Sequence, residues 1–509
     1  MKRLSSVQKT ANKVYKNYMP PKQLTVSEWA EKHRTLSRES SAEAGKWRNE
    51  RTPYLVEIMD AFTDYRVKKI SLMSSSQAGK ALAIDTPIPT PNGWKTMEEL
   101  AVGDVVFDEN GEQCNVTAVT DIMYNRKCYR VEFSDGSEIV ADSCHKWYVE
   151  SDTVIEHPDA TSRKGNYNGV ITTEEIAQDY QYTLSDKKKR NRYAIPVNKP
   201  LRTKKACFLL PPYTFGAWLG DGNSCSSQIT TGKQDLEIIE NIKKEGVNVV
   251  VRDRGNIYNT QIMPKPDIHK ERFCIRGHDM NLLGRTKKGL CAECSRQHSK
   301  HFQYGRKIDP IINRKITGHA ILKKLGVLNN KHIPIEYLRG SFGQRLELLQ
   351  GIMDTDGTIN KSGRCEITLK SKRLISDVGE LLHTLGIKHT TKKKIAVCTN
   401  YKERRTETEV YRISFMVYDD LPVFKLKRKL ERMKSRNGIG RKGKPRRTTE
   451  TERRRIIKVT EVESVPVKCI SVDSSSKLYL AGRAMIPTHN SELELNIIGY
   501  IIDQDPGSI

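Results

Sequence analysis

The spacing of apolar residues changes period several times along the chain. Residues Val67–Met73 (VKKISLM) are rich in strand-formers and predict a strand, and the small polar stretch Ser74–Lys80 (SSSQAGK) predicts a loop. From Ser491 onward, Leu493, Ile497, Ile498 and Ile501 recur at helical spacing. Residues 213–223 (YTFGAWLGDGN) and 348–359 (LLQGIMDTDGTI) form an internal pair: each is apolar at helical spacing, carries a glycine and ends in Asp-Gly. Near the end, residues 467–482 (VKCISVDSSSKLYLAG) are strand-like. No apolar run is long enough to span a bilayer, and the basic N-terminus lacks the apolar stretch of a secretory signal.

The first loop breaks a known pattern. A phosphate-binding loop needs a strand, a flexible loop, Gly-Lys, and then Ser or Thr opening a helix. Here Gly79-Lys80 is followed by Ala81-Leu82. Joining Lys80 to Ser491 restores strand, loop, Gly-Lys-Ser and helix, with Ser74 where the pattern usually has Gly. In the joined form Gly79 and Lys80 would face the phosphates of ATP, and the Ser491 hydroxyl would reach its Mg2+. Residues Ala81 to Asn490 therefore read as an insert.

The edges of that insert carry chemistry. At its end stand Thr488, His489 and Asn490, then Ser491. An Asn side-chain amide can attack its own backbone carbonyl and cut the chain after itself, a neighbouring His can place the proton, and a Ser hydroxyl can hold an acyl group as an ester.

Composition adds a polyanion partner. The chain has 509 residues, enough for several domains, and 37% of them are hydrophobic. Lys and Arg number 87 against 61 Asp and Glu, a net charge of +26, which favours nucleic acid; a solvated basic surface is the plainer reading. Eleven cysteines without a disulfide-like spacing predict ligands, nucleophiles or core thiols. Cys274-x3-His278 and Cys291-x2-Cys294 have the spacing of a structural zinc site, with His298 and His301 as alternative ligands. The basic run from Lys425 to Arg455 is read as a tether, with phosphate contact as the sharper alternative.

These motifs resemble three families. The flanks, LTVSEWAEKHRTLSRESSAEAGKW, RTPYLVEIMDAF and the interrupted loop, resemble the ATPase of phage terminase large subunits over residues 1–80 and 491–509 only. The opening ALAIDTPIPTPNGWKTMEELAVGDVVFD resembles that of inteins, but Ala81 has no nucleophile where most inteins begin with Cys or Ser. GSEIVADSCHKW resembles the motif that carries the activating His, which falls on His145; Asp142 stands where that pattern usually has Thr. Trp147, Cys469 and Thr488, with a non-nucleophilic first residue, look like a class 3 intein.

The resemblance implies that Cys469 attacks the Lys80 carbonyl and that His145 protonates the leaving Ala81 nitrogen. Ser491 then accepts the acyl group, and Asn490 cyclises with help from His489. The Asp-Gly pair resembles the two helices of LAGLIDADG homing endonucleases, which implies Asp221 and Asp356 as Mg2+ ligands and, from KHIP, Lys331 as a basic residue of the cleavage site.

The resulting expectation is a multi-domain chain. It has an all-β, horseshoe-like Hint splicing domain (81–200 and 456–490) and an α+β LAGLIDADG endonuclease (205–430) with a zinc insertion at about 270–300. A basic linker (431–455) follows, and a split α/β P-loop ATPase fragment (1–80 and 491–509) flanks the insert. The function expected is self-excision with ligation of Lys80 to Ser491, plus site-specific cleavage of double-stranded DNA. An inert or cleavage-only Hint domain carrying the nuclease is the alternative. Splicing needs no cofactor, and ATP-Mg is expected only in the spliced, full-length host. No membrane partner is expected. The terminase small subunit and portal are partners of the full-length host, and the location is the cytoplasm of a bacterium that carries the phage.

Overall fold

The computed structural model describes residues 24–36, 45–51, 53–64, 66–67, 81–151, 167–183, 189–264, 291–293, 295–296, 317–399, 405–438 and 449–489. The chain divides into two compact units, residues 1–79 with 491–509, and residues 80–490. In the first unit, helix α1 (Val26–His33) starts at Thr25, whose side chain accepts from the Glu28 N–H while Glu28 reaches back to the Thr25 N–H, a capping box. Helix α2 (Pro53–Ala61) packs against it around Val26, Ala30, Trp47 and Met59, and Asp60 accepts from the Ser27 N–H at 3.1 Å. The loop and helix of the interrupted phosphate site, with Gly79, Lys80, Asn490 and Ser491, lie outside the described residues.

The second unit holds two modules. The first is built on an eight-stranded antiparallel sheet. Its strands run in the order Tyr167–Thr172, Lys146–Ser151, Tyr193–Pro196, Arg453–Val462, Cys128–Phe133, Glu138–Asp142, Leu82–Ala83, Val467–Lys468. Alternation drives it: in Lys146–Ser151 every second residue (Trp147, Val149, Ser151) is buried, which places one face on the core. Trp147, Phe133, Leu82, Ile88 and Tyr479 fill that core. A register shift between Ile456 and Lys458 bends the longest strand. Among its described residues the module carries one short helix, α3 (Thr173–Asp179), capped by Thr172 and Glu175. The two ends of the insert meet on this sheet, where Lys468 pairs with Leu82 and Val467 with Ala83.

The second module enters after Pro196 and leaves before Arg453, and these two strands are neighbours, with Ala194 opposite Arg455 and Pro196 opposite Arg453. The basic run assigned above to a linker through Arg455 thus ends inside the sheet: the strand begins at Arg453 because Arg454 is fully buried and ion-paired with Asp135 at 2.6 Å.

The nuclease-like module is α+β and has two halves. The first contains helix α4 (Pro212–Asp221), helix α5 (Leu236–Lys244) and three strands, with Ile257–Pro264 between Gln228–Gly232 and Val247–Asp253. The second contains helix α6 (Phe342–Thr355), helix α7 (Lys372–Thr384) and four strands in the order Gly357–Ile359, Arg364–Leu369, Arg405–Met416, His389–Thr399. On α7, Leu374, Ile375, Val378, Leu381 and Leu382 recur at helical spacing and face the core. The two modules are joined by buried arginines. Arg339 donates to the carbonyls of Thr90 (2.9 Å) and Gly93 (3.0 Å) and to Glu380 (2.9 Å), while Arg345 donates to the carbonyls of Leu201 and Thr384. Among the described residues, no helix is long and apolar enough to cross a membrane.

Candidate active sites

The first candidate site lies where the insert begins. Ala81 is fully buried and shares a small apolar cluster with Met123, Cys128, Val467 and Cys469. The antiparallel register pairs Val467 with Ala83 and Lys468 with Leu82, and Cys469 and Ala81 are the residues next to that last pair, together in one buried cluster. The Cys469 backbone is fixed by Thr120, whose hydroxyl accepts its N–H at 3.1 Å and whose N–H donates to its carbonyl at 3.0 Å.

His145 is buried, and its Nε2 meets the hydroxyl of Thr488, itself buried in the strand Ile486–His489. Trp147 stands edge-on to the His145 ring, 4.8 Å between centroids. Its indole N–H donates to the Thr173 hydroxyl at 3.0 Å, which in turn donates to the His145 carbonyl at 3.1 Å. This loop of contacts fixes the imidazole from behind and supports a positioning part for Trp147 rather than a chemical one. His489, the last residue of the same strand as Thr488, is also buried. Cys144, next in sequence to His145, is solvent-exposed.

Asp142 clamps the first residue on two sides. Its carboxylate accepts the Ala81 N–H at 3.2 Å and its own N–H donates to the Ala81 carbonyl at 3.0 Å. Arg126 holds the other carboxylate oxygen at 2.9 Å. Burial pushes the Asp142 carboxyl above the usual range, opposed by Arg126 and the Ala81 N–H.

The second candidate site lies where α4 and α6 end together. Glycines permit the contact: a Cβ on Gly216 would overlap the Leu348 carbonyl oxygen, and one on Gly351 would overlap that of Tyr213. Asp221 is the last residue of α4, and Asp356 caps α6. A Cβ on Gly220 would stand 3.4 Å from the Asp356 carboxylate, so both acids share one place. Burial and the neighbouring Asp356 charge push Asp221 up to about 6, against the opposing pull of Lys331 and Lys429.

Lys331 closes the first helix, donating to the carbonyls of Leu219 (2.9 Å), Gly220 (2.9 Å) and Gly222 (2.7 Å). Lys429 does the same for the second, reaching the carbonyls of Met353 (2.9 Å), Asp354 (2.6 Å) and Gly357 (2.7 Å). Cations at helix C-termini satisfy orphan carbonyls and oppose the negative end of the dipole. Each lysine's segment is anchored by an acid: Asp377 accepts from the Ile333 N–H at 2.9 Å, and Asp354 from those of Lys425 and Leu426 at 3.1 Å.

Of the expected zinc ligands, Cys291 is described and buried; Cys274, His278 and Cys294 lie outside the described residues, as do His298 and His301.

Known proteins are similar to separate parts of this chain. The ATPase domain of phage terminase large subunit gpA matches residues 41–88, and a LAGLIDADG-like domain matches residues 343–418. The replicative DNA helicase DnaB of Mycobacterium intracellulare is 35% identical over 429 residues, 82% of this chain and 60% of that protein. The chain thus spans about 60% of the length of this curated relative, and the flanks are too short to supply a match of that length, so most of it falls on the insert. The Msm DnaB1 intein splicing domain, solved bound with zinc, is 47% identical over 18% of this chain and 61% of that one, with a TM-score of 0.15. In sequence, the insert is similar to an intein splicing domain over that span. Mesophilic variants of the homing endonuclease I-DmoI are 13% identical, over 40% of this chain and 87% of theirs, with a TM-score of 0.20.

Two residues at these sites were not singled out from sequence as members of a site. Lys429 sits in a run of basic residues that gives no sign of which one turns inward. Asp142 stood out only as a departure from the usual Thr. Alternation in the strand Glu138–Asp142 groups it with exposed Glu138, so its burial is out of phase and carried no signal in the sequence.

Proposed function

We propose that the chain removes residues 81–490 from itself and joins Lys80 to Ser491, and that the excised piece cleaves double-stranded DNA at a specific site. The observation that carries the first part is the burial of Cys469 in one cluster with Ala81, both next to the Lys468–Leu82 pair. With no nucleophile on Ala81, the reacting thiol must come from a neighbouring strand, and Cys469 is buried in the same cluster.

In this reading the Cys469 sulfur attacks the Lys80 carbonyl carbon. The C–N bond to Ala81 breaks, and the thiol proton ends on the Ala81 nitrogen, with His145 placed by Thr488 and Trp147 to move it. The acyl group passes to the Ser491 oxygen. The Asn490 side-chain nitrogen then attacks its own carbonyl beside His489, which frees the Ser491 amine, and the ester shifts to an amide.

For the DNA reaction, Asp221 and Asp356 fit a divalent cation. Two carboxyls converge there, and a bound cation relieves the repulsion that raises Asp221. When bound, Mg2+ would supply charge stabilisation to the phosphodiester oxygens. Asp221 and Asp356 would hold it, and Lys331 and Lys429 keep both helix ends in place. The Cys274, His278, Cys291, Cys294 zinc site is part of this proposal, carried by its spacing. ATP-Mg, the terminase small subunit and the portal belong to the spliced, full-length host, and the cytoplasm of its bacterium is the place where it acts.

Mass analysis of the expressed chain tests the first activity. A free 81–490 fragment and a ligated 1–80/491–509 product are expected, and a Cys469→Ala variant that still ligates would refute the route. A supercoiled plasmid carrying the uninterrupted host sequence tests the second: cutting in Mg2+ is expected, and an Asp221→Asn, Asp356→Asn variant that cuts as well as the parent would overturn it.

A further inference from the structure

The nitrogen that must leave at the first junction is held by Asp142. The Ala81 N–H points at the Asp142 carboxylate, 3.2 Å away, in a fully buried setting. The same residue's N–H grips the Ala81 carbonyl, so the amide is fixed from both sides. Arg126 binds the distal carboxylate oxygen through two nitrogens, at 2.9 and 3.3 Å, and so fixes the plane of the group. The strand register adds to this, since Asp142 pairs with Cys128 and its neighbour Ala141 with Leu82. His145, by contrast, directs its Nε2 to Thr488.

We propose that Asp142 is a catalytic residue of the splicing site, receiving the departing Ala81 nitrogen and holding it in its cationic form. This rests on the splicing reading above. The balance of the step is simple. An S–C bond forms between Cys469 and the Lys80 carbonyl as the C–N bond to Ala81 breaks. The thiol proton converts the amide nitrogen to an amine, and a solvent proton takes the amine to ammonium. A peptide is more stable than a thioester, so this exchange runs uphill and the free amine readily returns. An ammonium paired with a buried carboxylate is a poor nucleophile, because its lone pair is occupied. Asp142 therefore acts on the return reaction as much as on the forward one. A Thr at this position, as in the commoner intein pattern, can accept an N–H but cannot pair with a cation. The substitution matches a chemistry that starts from a remote thiol rather than from the first residue itself.

The test uses the full chain with Asn490→Ala and Ser491→Ala, which stops at the Cys469 thioester, and reads the fraction of Lys80–Ala81 bonds open to cleavage by hydroxylamine against pH. Asp142→Asn keeps the shape and an acceptor oxygen but removes the charge. It is expected to lower the thioester fraction by about 10- to 100-fold, the worth of one charge-assisted bond. The loss should be largest where the amine is protonated, below about pH 8. Asp142→Glu is expected to restore part of it. In an Asn490-containing chain, Asp142→Asn should still cut after Asn490, which a general folding defect would also suppress. A thioester fraction unchanged in Asp142→Asn overturns the proposal. So does equal loss of cleavage at both junctions in Asp142→Asn and Asp142→Glu, which would make the residue structural. Failure of the splicing reading looks different: the parent chain itself would form no Cys469 thioester.

Discussion

Gly351 and Gly343 lie on the same helix, α6, yet alanine is expected to act in opposite directions at the two positions. At Gly343 a Cβ meets nothing within 4 Å, so Gly343→Ala removes backbone freedom from the unfolded chain and adds helix propensity. A gain of about 0.5–1 kcal/mol follows. At Gly351 a Cβ would overlap the Tyr213 carbonyl oxygen and stand 2.7 Å from the Ala217 nitrogen and 3.0 Å from the Gly216 carbonyl carbon. All three are backbone atoms of α4, so no side chain can turn aside. The helices must part by roughly 1 Å, and overpacking of that kind costs about 1–3 kcal/mol or more, which outweighs the propensity gain. For a module of this size the thermal midpoint should fall by about 2–4 °C for each kcal/mol.

The assay is thermal unfolding of a splicing-blocked chain (Cys469→Ala, Asn490→Ala), together with DNA cleavage. Gly351→Ala should lower the midpoint of the nuclease module and reduce cleavage, because Asp221 and Asp356 ride on the two displaced helix ends. Gly343→Ala should raise the midpoint slightly and leave cleavage alone. Equal effects of the two substitutions, or a Gly351→Ala variant as stable as the parent, would refute the reasoning.

Two further outcomes follow from the titratable groups. His383 and His389 stack at 4.4 Å at the junction of the two modules, beside the Arg454–Asp135 pair. Burial pushes His389 from 6.5 down to about 4. Stability from its neutral form is complete above about pH 6.5 and is lost as pH falls towards 4, by about 3 kcal/mol in all. Urea unfolding of the blocked chain should show this slope, and His389→Gln should flatten it; an unchanged slope would count against the assignment. DNA cleavage should follow a bell-shaped pH profile. Its acid limb lies at or below about 6, where Asp221 protonates, since a bound cation favours the carboxylate. Its alkaline limb lies near 8, to which burial lowers Lys429. Lys429→Met should remove the alkaline limb and slow cleavage by about 10-fold or more, and a profile that keeps that limb would assign it elsewhere.

Much of this molecule could be read from residue order because its signals are local. The two Asp-Gly helices, the strand-like stretch around Cys469 and the tail of Thr488 and His489 each occupy a few adjacent positions. What could not be read is set by register between distant segments. Nothing in the sequence around Leu82 and Lys468 says that they pair, so the gathering of Cys469 and Ala81 in one buried cluster came only with the sheet. Arg454 is one of three consecutive arginines, and its burial against Asp135 depends on which face of the strand it takes. Lys429 is hidden for the same reason among its basic neighbours. Asp142 was visible, but its meaning depended on knowing where the Ala81 N–H points.

The strands that bracket the nuclease have an evolutionary consequence. Tyr193–Pro196 and Arg453–Val462 are antiparallel neighbours before the nuclease is considered. Deleting the intervening coding sequence in frame would leave two paired strands needing only a short turn. A lineage could thus lose its means of spreading in one genetic event and still inherit the means of removing itself. On the splicing reading proposed above, such a descendant would be confined to vertical transmission.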